Sequence, residues 1–457
     1  MPRAIFSRFR FAVVPLLAAL VVGGGGCEQI PSPFGHSQDQ SRAQTQSRER
    51  PPPSPAKPAP EVQSKVQSEV QAAPLPAVVA APAPPSVPTL VPLASRAPTA
   101  IGPENGALST MVQVPAGPVR VALLVPLSGT SSGVGEAMLN GAQLALFDSA
   151  DANFVLQVYD TGGSAEGAAT AAATALQEGA RLIVGPVFSA AVKAVAPLAR
   201  NGGVPVIAFS TDTAAAGPGV FLMGFLPRQQ VQRVALHARS QGLTRFAALA
   251  PSTEYGRTVT AALRETVTAS GGNVTEVEYY DPAAPEHSPT VRRVAARHAF
   301  DAILVPDKGP RLKALASLLP YFEVDLQKVR LLGTLLWADT TFAGEPALVG
   351  GWYAVPSGPL QKPFATRYRQ VFGAAPPDNT SLAYDAIALV ATLARAPGGP
   401  KFDLPTLTAD SGFAGVDGIF RFRPDGTTER GLAVMEVTAS GPTEISPAPT
   451  SFEKPLY

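Results

Sequence analysis

The chain has 457 residues, a net charge of +1 and a single cysteine. Its basic residues are scattered, with no basic stripe interleaved with aromatics, which argues against a nucleic-acid partner; the lone Cys27 excludes an intramolecular disulfide. Length alone suits two to four domains, and composition divides the chain: fourteen of the fifty residues from Pro51 to Ala100 are proline, whereas apolar runs alternate with alanine-rich amphipathic segments from Val119 onward.

At the start, Arg3, Arg8 and Arg10 precede the apolar run Phe11 to Val22 and then four glycines and Cys27. A basic region, a short apolar region and small residues make a secretory signal, and the run is too short for an ordinary membrane-spanning helix. The cysteine after the small residues resembles a bacterial lipoprotein signal, with Gly24 where that pattern usually has leucine. Residues 1–26 are therefore expected to be a lipoprotein signal peptide, with Cys27 the lipidated residue and the membrane reached through that anchor only. Residues 27–118, rich in proline and alanine, cannot bury enough apolar surface to offset ordering entropy and read as a disordered tether. Val62, Val66 and Val70 recur within it, but three valines make no core. A flexible coil of roughly 90 residues averages roughly 50 to 60 Å end to end.

The folded part opens with Val119 to Pro126, a continuous apolar run typical of a strand buried on both faces. Strands are expected again at 154–159, 181–184 and 204–209, with helices over 136–148, 166–178 and from Pro186 to Arg200. A second series restarts near Pro227, with helices at 229–240, 258–270, 290–298 and 311–318 preceding strands at 246–250, 273–280, 302–305 and 329–332. Two such series imply an α/β architecture of two doubly wound parallel-sheet lobes. Asp378 to Ala394 reads as a long helix, and 418–423 with 432–437 as a hairpin about Pro424-Asp425-Gly426. Lobe one is placed at about 119–225 and 356–416, lobe two at about 226–355 and 417–440, and 441–457 as a loose tail.

Three lures of chemistry fail on position. Gly129-Thr-Ser131-Ser-Gly133 fits the G-x-S-x-G elbow of serine hydrolases, and His237, His287 and His298 follow it. That elbow, however, comes midway through a hydrolase sheet, whereas here it follows the first strand. Gly129, Gly133 and Gly135 do not make a dinucleotide fingerprint, and the histidines lack metal-ligand spacing, so neither cofactor nor metal is expected. What remains is the carboxyl ends of the strands, where open parallel sheets bind ligands. Those ends carry Ser128-Gly129, Asp160, Phe188-Ser189, Ser210 to Thr213, Ser252 to Tyr255 and Asp307-Lys308, a set suited to a small polar ligand.

These residues resemble the type I periplasmic binding fold, in particular its leucine/isoleucine/valine-binding branch, over about 119–440. The markers are Pro126-Leu-Ser-Gly129, Asn140 to Ala145, Ile183-Val-Gly-Pro186, Val204 to Ile207, Glu254-Tyr-Gly256, Ala383-Tyr-Asp385 and Asp417-Gly-Ile-Phe420. The resemblance implies a non-catalytic protein with a ligand cleft between its lobes, held by Ser128, Ser189, Ser210, Thr211, Asp212 and Tyr255. The family's amino-acid receptors also place an acid in the loop matching Gly333 to Trp337, where this chain has none until Asp339. An ammonium group buried without a countercharge is strongly disfavoured.

The same fold occurs in lipoproteins resembling penicillin-binding-protein activators. Anchor, tether and missing acid point that way, to a regulator on the outer membrane whose partner is a peptidoglycan synthase. The alternative is the solute receptor of an ABC uptake system for branched-chain or other amino acids, and a remote third is a serine hydrolase.

Overall fold

A computed structural model describes residues 118–149, 154–297 and 299–453. The signal peptide, Cys27 and the tether up to residue 117 lie outside the described residues.

The first series consists of β1 (Val119–Val125), α1 (Ser132–Ser149), β2 (Phe154–Asp160), α2 (Ala165–Gln177), β3 (Leu182–Val184), α3 (Ser189–Asn201), β4 (Val206–Ala208) and β5 (Val220–Leu222). Its sheet is parallel in the order β2-β1-β3-β4-β5. The unbroken apolar run of β1 follows from burial on both faces. Val121, Leu123 and Val125 enter one core with α1, while Ala122 and Leu124 enter the opposite core with α2 and α3.

The second series consists of α4 (Pro227–Ser240), β6 (Arg245–Pro251), α5 (Glu254–Ala269), β7 (Asn273–Tyr280), α6 (Ser288–Ala295), β8 (Ala302–Leu304), α7 (Gly309–Tyr321), β9 (Arg330–Gly333) and β10 (Trp352–Pro356). Then follow α8 (Gln361–Phe372), α9 (Thr380–Ala394), α10 (Leu404–Leu407), β11 (Phe413–Gly415), β12 (Gly418–Phe422), β13 (Thr428–Arg430), β14 (Leu432–Thr438) and β15 (Gly441–Ser446). The second sheet runs β15-β14-β10-β9-β8-β6-β7, parallel from β10 to β7 and closed at its other edge by antiparallel β14 and β15. Two doubly wound lobes are therefore present, as the alternation of strands and helices implied.

The chain passes between lobes three times, from β5 to α4, from β10 to α8 and from β13 to β14. Helices α8 and α9 return to lobe one, where Phe364, Tyr368, Leu382 and Ile387 join the core containing β1.

The C-terminal expectations need correction. Segment 418–422 does not pair with 432–438; the Asp425-Gly426 turn joins it instead to β13, and β11 flanks its other side. Phe413, Phe420 and Phe422 enter the lobe-one core, so residues up to about 430 belong with lobe one rather than lobe two. Nor is 441–457 a loose tail throughout. Residues 441–446 form β15 on β14, and the Arg233 guanidinium donates to Ser446 Oγ at 2.6 Å. Farther on, the Arg421 guanidinium lies 4.5 Å from the Phe452 ring centroid. Charge-bearing contacts to main chain and ring hold a segment whose own composition promised little. Strands β5 and β10 and helix α8 were also missing from the expected elements.

Candidate functional site

A cavity of about 870 Å³ lies at the carboxyl ends of both sheets, walled from both lobes. Lobe one contributes Val134 and Met138 of α1, Val187 after β3, and Phe209 and Thr211 after β4. Across the cleft stand Tyr255 at the start of α5, Lys308 after β8, and Leu335 and Leu336 after β9. The wall is completed by Phe225, Pro356, Gln361, Phe364, Leu382, Val416 and Asp417. The lining is mostly apolar with separated polar groups, the usual make-up of a small-molecule site.

Of the six side chains expected to hold a ligand, Thr211 and Tyr255 line this cavity and the other four do not. The Tyr255 hydroxyl is 2.8 Å from that of buried Thr334, which aims the ring from α5 toward β9. Ser189 Oγ donates to the Asp212 carboxylate, which also accepts from Lys193 Nζ at 2.8 Å and from the Ala214 amide at 2.9 Å. Lys193 and then Ser189 hold the Asp212 carboxyl below its ordinary value. Ser210 Oγ in turn accepts from the Asp212 amide at 3.1 Å. These three residues thus form a loop-bracing network beside the wall.

Ser128 lies in another such brace, centred on Asp160. That carboxylate accepts from the amides of Leu127 at 2.8 Å, Ser128 at 3.3 Å and Gly162 at 2.8 Å. Hydrogen bonds from the Ser128 side chain and the Gly162 amide lower its pKa. Hydroxyls at strand ends serve the loops first, as residue type alone allowed.

Around Ser131 the backbone enters α1, its carbonyl accepting from the Val134 and Gly135 amides. The described histidines that follow it sit in lobe two, His237 against Trp352 and His287 against Tyr280. Among the described residues, no cluster of three or more His, Cys, Asp or Glu that could hold a metal is gathered, and no helix is long and apolar enough to cross a membrane.

The loop after β9, where an acid was looked for, is a short 3-10 helix over Leu335–Trp337. It presents Leu335 and Leu336 to the cavity and buries Trp337, whose Nε1 donates to the Val305 carbonyl at 3.0 Å. The two acids that could stand in for one there, Asp212 and Asp339, already have partners. Asp212 is braced by Lys193, and Asp339 on the cavity wall meets Lys308 Nζ at 3.2 Å.

The acid that pattern reading overlooked is Asp417, in the turn between β11 and β12. It lines the cavity, is only 5 % exposed, and accepts from Gln361 Nε2 at 3.0 Å through Oδ1. Nearby Asp385, on α9, is completely buried and accepts from the Val416 amide at 2.8 Å. Burial first, and then the Asp417 charge, push the Asp385 carboxyl well above its ordinary value, with the Val416 amide and Arg430 opposing. Arg430 is itself anchored, donating to the Met223 carbonyl at 2.9 Å and lying 5.0 Å from the ring centroids of Phe225 and Phe420. The sequence signals for this group were the markers Ala383-Tyr-Asp385 and Asp417-Gly-Ile-Phe420, neither of which points to a carboxylate on the cavity wall.

Similar proteins agree with this architecture. A protein of Rickettsia prowazekii (strain Madrid E), described as uncharacterised, is 20 % identical over 177 residues, covering 39 % of this chain and 47 % of its own. The chain thus spans about half the length of that curated relative. A leucine-binding protein of Thermotoga maritima superposes with a TM-score of 0.54 at 21 % identity, over 72 % of this chain and 98 % of its own. A solute-binding protein of an ABC transporter from R. palustris, solved with benzoate, gives 0.52 at 19 % identity over 73 % and 98 %. The model of the family described as periplasmic binding protein matches residues 118–442. By that match, and by the type I fold it shares with these structures, the chain belongs to the periplasmic binding protein family.

Proposed function

We propose that the chain is a non-catalytic solute receptor of the periplasm that delivers a small ligand to an ABC uptake system. The carrying observation is the cavity of about 870 Å³ between the lobes, its apolar walls interrupted by Thr211, Tyr255, Gln361 and Asp417. Leucine, which names one of the similar proteins, and benzoate, held in the other structure, are of the size such a cleft encloses. Apolar walls supply most of the transfer free energy and the few polar groups orient the ligand.

A second reading rests on the sequence before residue 118. Lipidation of Cys27 and a proline-rich tether would let the same fold act far from an outer membrane as a regulator of a peptidoglycan synthase. One experiment separates the two. Aliphatic and aromatic amino acids and aromatic acids are screened by thermal melting of the purified chain. A ligand at 100 times its Kd stabilises by about 2.7 kcal/mol. A shift of that order supports the receptor. If no compound shifts the melt and the chain instead stimulates a purified peptidoglycan synthase, the receptor reading falls.

A further inference from the structure

We propose that residues 447–453 form a clasp across the back of the hinge, which resists closure of the lobes and keeps the ligand-free cleft open.

This segment adds a further span to the crossings between β5 and α4, β10 and α8, and β13 and β14. After β15 the chain leaves lobe two and lies against the small sheet β11-β12-β13 of lobe one. At its start the Arg233 guanidinium of α4 holds it, donating to Ser446 Oγ at 2.6 Å and to the carbonyls of Ser446 and Pro447 at 3.4 Å each. Arg233 is buried and its Nε donates to the Leu432 carbonyl at 2.8 Å, so this anchor belongs to lobe two. Midway, the Pro449 carbonyl rests on Gly431, between β13 and β14, where a Cβ would lie 2.9 Å from its oxygen. At the far end the Phe452 ring packs on Gly412, where a Cβ would come within 2.6 Å of it, and against the Arg421 guanidinium. Arg421 is fixed in turn by Glu429 at 2.9 Å and by the Asp410 carbonyl at 3.0 Å. Lobe two, the last crossing and lobe one are thus tied by one stretch of chain.

The clasp lies on the side of the hinge away from the cleft. Gln230 of α4 lines the cleft cavity, whereas Arg228 and Gln232, two residues to either side, stand about 160° round the helix. Together with Arg421, Arg423, Phe452 and Glu453 they line another cavity, of about 920 Å³, between α4 and the small sheet. Two-lobed binding proteins close by rotation about the segments that cross between the lobes. With the axis through those segments, a rotation that narrows the front cavity widens the back one. Pro447 and Pro449 fix φ at two positions of the span, so it yields little. Closure therefore strains one anchor or the other, the ring on Gly412 or Ser446 under Arg233. A ligand that needs the closed state then binds less tightly, in proportion to the fraction of chains able to close.

The test measures the distance across the cleft mouth by pulsed electron paramagnetic resonance. Spin labels are placed at Glu166→Cys in the first turn of α2 and Glu254→Cys at the start of α5, both exposed. The full chain carries Cys27→Ser so that no other thiol takes a label. No ligand is added, so the outcome does not depend on the receptor reading. Phe452→Ala removes the far anchor, and a Gly-Ser insertion between Thr450 and Ser451 keeps both anchors but gives the span slack. Both variants are expected to shift the distance distribution to shorter values. No shift in either, or a shift to longer distances in one, overturns the clasp, even where the melting temperature falls. Should Phe452→Ala not fold, the insertion in this exposed loop decides the matter.

Discussion

Two glycines on one helix should respond in opposite directions to the same substitution. Gly133 and Gly135 both lie in the first turn of α1. A Cβ added at Gly133 meets nothing within 4 Å, whereas one at Gly135 would fall 1.8 Å from the Pro126 carbonyl oxygen. Gly133→Ala therefore gains only the helix preference and the loss of unfolded-state freedom, about 0.4 to 1 kcal/mol. Gly135→Ala collects the same gain but must part the helix from the end of β1 by about 1.2 Å to reach even 3.0 Å. The obstacle is backbone, held on the sheet by the Thr161 amide bonded to the neighbouring Val125 carbonyl at 3.0 Å, so it does not swing aside. Overpacking of this kind costs about 1 to 3 kcal/mol and sometimes more.

At about 2 °C per kcal/mol for a unit of this size, Gly133→Ala should raise Tm by about 1 to 2 °C and Gly135→Ala, net of the same gain, lower it by up to about 5 °C. Thermal melting of the two variants beside the unaltered chain reads both signs at once. Val134 and Met138 line the cavity from this helix, so ligand affinity should follow the same order. Equal melting temperatures, or a Gly135→Ala protein more stable than Gly133→Ala, would refute the close-approach argument. A neutral or stabilising Gly133→Ala would also count against a strained nucleophile elbow there, since such an elbow needs its glycines for crowding.

Two further outcomes follow from buried polar groups. The folded state raises the Asp385 pKa, so it binds that proton more tightly than the unfolded chain does, and stability contributed there falls as pH rises above the ordinary carboxylate range. Asp385→Asn keeps an acceptor for the Val416 amide and removes the titration; urea midpoints at pH 5 and pH 8 should show the variant gaining on the unaltered chain at the higher pH, and a constant difference would refute it. Tyr255→Phe strands the Thr334 hydroxyl, which is 0 % exposed, and should destabilise by about 1 to 3 kcal/mol, while adding Thr334→Val should recover most of that loss. A double variant no more stable than Tyr255→Phe would deny the pairing.

The fold was legible because its signals are local and repeated. The run Val119 to Val125 shows burial on both faces without reference to any partner, and strand-helix alternation repeated twice gives two lobes. The C-terminal part was not, because its pairing is decided at long range. The Asp425-Gly426 turn was recognised, but which strand it returned to depended on the aromatic residues Phe413, Phe420 and Phe422 finding the lobe-one core. Strands β5 and β10 are entered from loops that hold only 3-10 turns instead of a helix, Thr213–Ala215 before β5 and Leu335–Trp337 and Pro346–Leu348 before β10, so the strand-helix alternation did not mark them. The segment 441–446 becomes a strand only because β14 offers an open edge and Arg233 binds its end.

The site illustrates a different limit. Hydroxyl and carboxylate residues at strand ends have two uses, bracing the loop that carries them or facing a ligand, and both favour the same residue types. In this structure Ser128, Ser189, Ser210 and Asp212 brace their loops, and Thr211 and Tyr255 line the cavity. What separates the uses is which polar atoms remain unpaired after the loops are built, a property of the assembled fold. Asp385 and Asp417 show this most clearly, being 32 residues apart in sequence and joined only when the turn between β11 and β12 packs against α9. An acid missing from the loop after β9 therefore says little about the cleft, because a cavity walled by several segments can draw a carboxylate from any of them, as it draws Asp417 from the turn between β11 and β12.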